Sequence, residues 1–293
     1  MALVNKALSP STRAAYQRAW VKFKKFCDTH SIPCKIPIAS THLACFITFL
    51  FNTGQSASSI ASCLSALSYY HKVFSQEVAD PTKNFVISQM MIAIRKERPA
   101  TDSRKPITEE ILFELGDKLP LLFLSFYEMS LFKAMFFYLM FYFGLRVSEV
   151  TTSPHNLPFR HVQVSKDRIV LTFSSYKHSP VKPFTHFIQA NHSPHCPVAV
   201  LLQYTSLRGK SPGAFFLLKA KDVSQSLFSL RLKQTLKVCT IDPNSFSSHS
   251  FRIGAASKWA AQGLSYVQMK RLGRWNSEAG FKYLRNDVNH SFP

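Results

Sequence analysis

The stretch SSHSFRIGAASKWA, residues 247–260, decides how the rest of the chain is read. It puts a histidine and an arginine three residues apart at the start of a helix, so His249 and Arg252 share one face. Behind them Gly254, Ala255 and Ala256 are small enough to pack closely against a core. If that face is buried, His249 and Arg252 are structural. If it lines a groove, they grip an anion. An H-x-x-R pair arises easily by chance, so the surrounding chain has to decide.

The 293 residues suffice for one large domain or two ordinary ones, and 46% of them are apolar, with 26 phenylalanines. That composition supplies a core and argues against disorder. The formal net charge is +20. Residues 1–98 carry 12 basic and 4 acidic side chains, and residues 99–293 carry 24 and 12, so the excess is shared. A polyanion touched by both halves explains this better than solubility does. The six cysteines have no C-x-x-C pair, which points to reduced thiols in an intracellular protein. His192, His195 and Cys196 lack a second ligand pair at zinc spacing, so no metal site is expected. MALVNKALSP lacks the long apolar core of a secretion signal. AMFFYLMFYFGL, residues 134–145, is too short to span a bilayer and is bracketed by Lys133 and Arg146. It reads as a buried helix.

Residues 9–30 read as a helix, with Ser9 as N-cap and Pro10 at the first position. Tyr16, Trp20, Phe23 and Cys27 form its apolar face, while Arg13, Lys24 and Lys25 lie off it. THLACFITFLFNTG ends at Gly54, SASSIASCLSALSYYHKVF makes a third helix, and NFVISQMMIAIRKE follows the break at Pro81. Four short helices without a strand suggest a small bundle over residues 1–98. The polar stretch 99–107 reads as a linker, and Thr108 caps the helix that opens a second domain, 108–293. HVQV, RIVLTFSSY and PFTHFIQ are β-prone and joined by turns at SKD and KHSPVK, giving a short antiparallel meander among helices. Farther on, Ser265 and Gln268 form a capping box, Gly273 stops that helix, and Ser277 caps a last one, EAGFKYLR.

Four pieces carry candidate chemistry. FGLRVSEV holds Arg146 beside Glu149, the KHSPVK turn holds Lys177, the opening stretch holds His249 and Arg252, and LGRWNSEAGFKYLR holds Tyr283. Each piece alone has a structural explanation: a surface ion pair, a solvated lysine, a chance pair, a core tyrosine. Their order and flanks, however, resemble the tyrosine recombinases, or phage-integrase family, over nearly the whole chain. STRAAYQRAWVKFKKFC is similar to the opening of the family's helical core-binding domain. GLRVSE, CPVAVLLQY, HSFR and LGRW…FKY are similar to successive landmarks of its catalytic domain.

The resemblance implies a mainly α fold with a small antiparallel sheet: a SAM-like core-binding bundle and a mixed α/β catalytic domain, closing as a C-clamp around double-stranded DNA. It also implies a site-specific recombinase that cuts and rejoins strands through a 3′-phosphotyrosine. By matched motif positions Tyr283 is the nucleophile, and Arg146 and Arg252 hold the phosphate oxygens. His249 donates to the phosphate or takes the tyrosine proton. Lys177 protonates the leaving 5′-oxygen, with Lys182 in reserve. Glu149 supports the Arg146 helix. No metal or nucleotide cofactor is implied, and neither a P-loop nor a carboxylate cluster is present in the sequence. Arg13, Lys24, Lys25, Arg104 and Lys105 are the candidate phosphate contacts outside that centre. Self-assembly into a synaptic oligomer on DNA is expected, in the nucleus of a eukaryote or the nucleoid of a prokaryote.

Two departures matter. Nine residues before Tyr283, where many members carry His or Trp, this chain has Arg274 followed by Trp275, and the third phosphate contact is open between them. GRW with YLR is similar to recombinases of eukaryotic mobile elements such as DIRS-like retroelements and Cryptons. Only ten residues follow Tyr283, which leaves synapsis less supported than cleavage. The rival readings are a domesticated DNA-binding protein without recombination and a type IB topoisomerase.

Overall fold

A computed structural model describes residues 4, 6–75, 77–99, 102–173, 183–275 and 283. The chain divides into two compact units, residues 1–102 and 103–293.

Among its described residues the first unit is built on the helices α1 (Pro10–Thr29), α2 (Ser40–Asn52), α3 (Ala57–Phe74) and α4 (Phe85–Glu97), with a 3-10 turn at Pro81–Lys83. Three of these starts follow from a local hydrogen bond, one with a fixed dihedral as well, while α2 begins after Ala39 without a side-chain cap. Ser9 Oγ accepts from the Thr12 amide and Pro10 supplies a preset φ. Ser56 and Asn84 cap α3 and α4 in the same way. Gly54 takes a positive φ just beyond α2, which turns the chain into α3. Phe23, Phe46, Leu50, Ile60, Leu67 and Ile87 are all buried in one core. Inside it His71 Nδ1 accepts from the Ile38 amide at 3.2 Å, and its Nε2 lies 3.3 Å from the Val78 carbonyl, so the ring sits as a satisfied core histidine.

The second unit opens with Lys105 and Ile107, whose amides donate to the Ser245 and Ser250 carbonyls at 2.7 and 3.0 Å. Ile107 is fully buried, so part of the 99–107 stretch belongs to this unit's structure. Helix α5 (Glu109–Lys118) follows, capped by Thr108. Helix α6 (Phe126–Ala134) runs on as a wider π-helical segment, Met135–Tyr142, where an ordinary helix was expected. A turn at Phe143–Gly144 then leads to the single turn α7 (Val147–Val150). Strands β1 (Val162–Val164), β2 (Arg168–Phe173) and β3 (Phe184–Gln189) form the antiparallel meander, with Leu171 opposite His186 and Phe173 opposite Phe184. Helix α8 (Pro197–Arg208) is followed by a two-residue pair, β4 (Leu217–Leu218) and β5 (Lys221–Asp222), that sequence patterning does not reveal. Helices α9 (Gln225–Val238), α10 (Ser248–Ala261) and α11 (Tyr266–Gly273) complete the described part. The KHSPVK turn and the EAGFKYLR helix, Tyr283 excepted, lie outside the described residues. No described helix is long and apolar enough to cross a membrane.

The core of this unit is aromatic: Phe132, Phe136, Phe141, Phe143, Tyr204, Phe215, Phe228 and Phe251 are buried together. Helix α10 reaches it through its small residues. A Cβ added at Gly254 would stand 1.8 Å from the Ile107 carbonyl oxygen and 3.0 Å from the Phe141 ring. Only glycine lets the helix approach the entering chain so closely, and the backbone bonds at Lys105 and Ile107 depend on that approach. Gly254→Ala is therefore expected to destabilise this unit by about 1–3 kcal/mol or more, the usual range for overpacking. Urea unfolding followed by tryptophan fluorescence would measure it, and an unchanged midpoint would refute the packing argument.

Candidate active site

Three arginines from three elements meet around one carboxylate. Arg146 is the residue before α7; its amide donates to Glu149 Oε2 at 2.8 Å and its Nη1 lies 3.4 Å from Glu149 Oε1. Arg252, on α10, is 2% exposed. It donates through Nη1 to the Gly144 carbonyl and through Nη2 to the Gly273 carbonyl at 2.9 Å. Arg274, just past α11, is 3% exposed and donates through Nη2 to Glu149 Oε2 at 2.9 Å. Its Nη1 also reaches the Phe143 and Leu272 carbonyls at 3.3 and 3.2 Å, and its guanidinium lies 4.3 Å from the Phe173 ring centre.

Two turns make this possible. Gly144 has φ +54°, and an added Cβ would stand 2.7 Å from the Trp259 ring. A glycine here lets its carbonyl turn toward Arg252. At the other turn Gly273, read from sequence as the helix stop, is still helical, and Arg274 takes the left-handed conformation, φ 53° and ψ 49°. The Trp275 amide closes this turn on the Lys270 carbonyl at 3.0 Å. Gly273 is small for another reason: a Cβ there would stand 2.4 Å from the Trp275 indole. The left-handed turn at Arg274 accompanies an inward side chain, which sequence periodicity does not signal.

The electrostatics are lopsided. Burial pushes the Glu149 carboxyl up, but the charges of Arg274, Arg146 and Arg252 and the Arg146 amide outweigh it and hold the group below the usual carboxylate range. Burial, then the charges of Arg146 and Arg274, push Arg252 down to about 10. His186, on β3, is pushed down to about 4 by burial and then by Arg274, so it is neutral at pH 7. Sequence reasoning missed His186, because nothing in a β-prone stretch marks one histidine as the neighbour of a buried arginine.

The Tyr283 ring joins this cluster. It stacks on Trp275 with ring centres 5.4 Å apart and planes at 24°, and the Arg252 guanidinium carbon lies 5.4 Å from its centre. His249 is exposed in the first turn of α10, with its ring centre 6.3 Å from that of Tyr283. Arg146, His249, Arg252, Arg274, Trp275 and Tyr283 are thus gathered in one place. Lys177 and Lys182 lie outside the described residues. Beneath the cluster Ala255, Ala256, Trp259, Met269 and Trp275 pack as a small apolar base.

Residues 2–77 match the family of the phage integrase N-terminal SAM-like domain. Three solved structures align along most of the chain. The XerH site-specific recombinase bound to a palindromic difH substrate, in a post-cleavage complex, is 11% identical over 92% of this chain and 75% of its own, with a TM-score of 0.67. A lambda integrase dimer bound to a COC′ core site is 12% identical over 99% and 94%, with a TM-score of 0.65. The Tn1549 transposon integrase in complex with transposon right end DNA is 11% identical over 96% and 91%, with a TM-score of 0.63. The chain has the tyrosine-recombinase fold. Among curated proteins none matches it in sequence.

In this recombinase fold the first unit has its own basic surface. A groove of about 900 Å³ between α1 and α3 is lined by Arg18, Lys22 and Lys25 with Ser59, Ser62 and Ser65, and no acidic residue borders it. Of the sequence candidates Lys25 lines this groove; Arg13 and Lys24 are exposed but do not. Arg18 and Lys22 were missed, although their spacing from Lys25 marks one helix face. In the second unit Lys105 is exposed and Arg104 half-buried.

Two measurements probe the buried charges. Glu149→Gln should destabilise the second unit by roughly 3–5 kcal/mol at pH 7, because it leaves buried arginine charge without its partner. The carboxyl is lowered in the folded protein, so its contribution is complete above the unfolded value of about 4.3 and is lost as pH falls through the folded value. The gap between the native chain and the variant should therefore be constant near neutrality and narrow only in acid. A gap that widens in acid would contradict this. Sulfate should stabilise the second unit more than chloride at matched ionic strength, by about 1.4 kcal/mol at ten times its dissociation constant, read as a higher melting temperature. Arg146→Met should remove that excess; an excess that survives would reflect only the general salting effect of sulfate.

Proposed function

We propose that the chain is a site-specific DNA recombinase that cleaves and rejoins strands through a phosphotyrosine at Tyr283. The observation that carries this reading is the Tyr283 ring lying against Arg252 within a cluster where three guanidiniums face a single carboxylate. Such a cluster retains positive charge that a phosphate diester would balance, and planar guanidinium forks suit its two non-bridging oxygens.

The Tyr283 oxygen attacks phosphorus, a P–O(Tyr) bond forms, and the P–O5′ bond breaks. Charge that builds on the non-bridging oxygens is met by Arg146 and Arg252, which are already fixed and need no rearrangement. His249, exposed beside Tyr283, takes the phenol proton or donates to the same phosphate. The leaving 5′-oxygen takes a proton from Lys177. Attack by a 5′-hydroxyl on the phosphotyrosine then reverses each step, and the phosphodiester energy is kept in the covalent bond.

The solved recombinase and integrase complexes that share the fold were captured on DNA, which supports duplex DNA as the partner. The groove bearing Arg18, Lys22 and Lys25 suits phosphate contacts in the first unit. The working assembly is an oligomer formed on DNA, in the compartment that holds it.

The test is covalent trapping. The protein is incubated with a library of nicked or suicide duplexes without magnesium, beside Tyr283→Phe. A denaturation-resistant adduct should form with the native chain alone, while Tyr283→Phe binds duplex DNA with nearly unchanged affinity, since it lacks only the nucleophilic oxygen. Adducts formed by Tyr283→Phe would reject the nucleophile. Salt-sensitive binding without any adduct would favour a DNA-binding protein, and relaxation of arbitrary supercoiled plasmid would favour a topoisomerase.

A further inference from the structure

Cys27 and Cys34 are seven positions apart, yet the end of α1 brings them together. The helix closes at Thr29, Ser31 takes a positive φ of 51°, and the Ile32 amide donates back to the Cys27 carbonyl at 2.9 Å. This reversal lays the following segment against the helix end, so that Ile32, Cys34 and Ile36 pack on the core that holds Cys27. A side-chain hydrogen bond joins the two thiols.

The pair is asymmetric. Cys27 has no exposed surface, whereas Cys34 is half-buried and within reach of solvent. Burial first, and then the charge of an ionised Cys34, the hydrogen bond between the thiols and the charge of Asp28, push the Cys27 thiol up to about 12. Such a thiol is inert toward dissolved oxidants, because the thiolate is the reactive form. Two of the influences that hold its proton come from Cys34 itself, so a change at Cys34 alters the reactivity of Cys27.

We propose that Cys27 and Cys34 form a covalent modification site, a dithiol that a small disulfide such as oxidised glutathione converts into an intrachain disulfide. The site belongs to the first unit alone and does not depend on the reading of the arginine cluster. Cys34 gives its proton to solvent, and its sulfur attacks one sulfur of oxidised glutathione. That S–S bond breaks, a mixed disulfide forms on Cys34, and one glutathione leaves as thiolate. Cys27, now relieved of the ionisable neighbour, loses its proton and attacks the Cys34 sulfur, and the second glutathione leaves. Two electrons pass from the protein thiols to glutathione, and the two protons end on the released thiols. Bonded sulfurs stand about 2.05 Å apart, so the two side chains rotate and the turn tightens. Residues 28–31 are exposed, and a small shift there displaces no buried side chain. Lys22 and Lys25 lie on the same helix, so the bridge fixes the end of an element that lines the basic groove.

Trypsin cuts after Lys25 and Lys35, so one peptide, residues 26–35, carries both sulfurs. The full chain is incubated with oxidised glutathione, quenched in acid, alkylated with iodoacetamide, digested without reduction and mapped by mass spectrometry. The 26–35 peptide should lose two hydrogens and carry no alkyl group, and treatment with dithiothreitol before alkylation should restore both reactive thiols. Cys27→Ser should stop at a glutathione adduct on Cys34. In the native chain, a persistent adduct on Cys34 beside a free Cys27, or an unmodified peptide, would overturn the proposal. Equilibration against mixed reduced and oxidised glutathione, with and without urea, reads the contribution of the fold. The folded chain should favour the disulfide roughly tenfold or more over the unfolded chain, and by linkage the oxidised protein should unfold at higher urea. An equal preference in the two states would mean that closeness in sequence alone joins the cysteines, and the structural assignment would fail.

Discussion

Bringing three guanidiniums to one carboxylate is the constraint on which the second unit depends. Like charges at close range in a poorly solvated place repel, and burial removes the water that would screen them. The protein counters this with oxygens. Glu149 receives Arg274 and Arg146, and the carbonyls of Phe143, Gly144, Leu272 and Gly273 accept from further Nη groups of Arg252 and Arg274. The compensation is incomplete, since burial, and then the charges of its two arginine neighbours, still push Arg252 down. Several local oddities follow from the same constraint. Gly144 takes a positive φ with its carbonyl on Arg252, Arg274 takes the left-handed region with its side chain on Glu149, and Glu149 is buried although it is charged.

Apolar packing determines where those oxygens stand. Gly254 lets α10 lie against the Ile107 backbone, and the Trp259 ring from the same helix packs on Gly144. The helix that carries Arg252 therefore also positions the carbonyl that Arg252 binds. This answers the question posed by SSHSFRIGAASKWA: the small residues face the core, Arg252 is buried and aimed at the cluster, and His249 stays exposed one turn earlier. The core-facing side of the helix is packing, as the small residues indicate, and Arg252 is buried where His249 is not.

Much of this was legible in sequence because it is local. Ser9, Ser56, Thr108 and Ser265 announce helix starts through side-chain bonds to nearby amides, and the alternation in RIVLTF announces a half-buried strand. The gathering of Arg146, Arg252 and Tyr283 was legible only through a resemblance, since no periodicity links residues a hundred positions apart. The rest depends on contacts that local rules cannot see. Gly273 looks like a helix stop because glycine is usual there, but the indole of Trp275 requires its small size, and the left-handed position moves to Arg274. The π-helical turns of Met135–Tyr142 were likewise invisible, because an unbroken apolar run has no polar face from which to count the period.

The two units use positive charge differently, and the difference bears on what each can recognise. Around α1 and α3 the charge is exposed, and among the described residues lining the groove none is acidic: Arg18, Lys22 and Lys25 border it with serine hydroxyls. Such side chains adapt to a run of backbone phosphates, and their attraction is long-ranged and screened by salt. In the second unit Arg252 and Arg274 are buried and fixed by backbone carbonyls, so they cannot adjust to an anion that arrives in the wrong place. Fixed donors stabilise one arrangement of charge strongly and its neighbours poorly, which favours a transition state over a loosely bound ground state. On this argument the exposed lysines and arginines can follow an anion of variable shape, whereas the buried cluster accepts charge in one arrangement only.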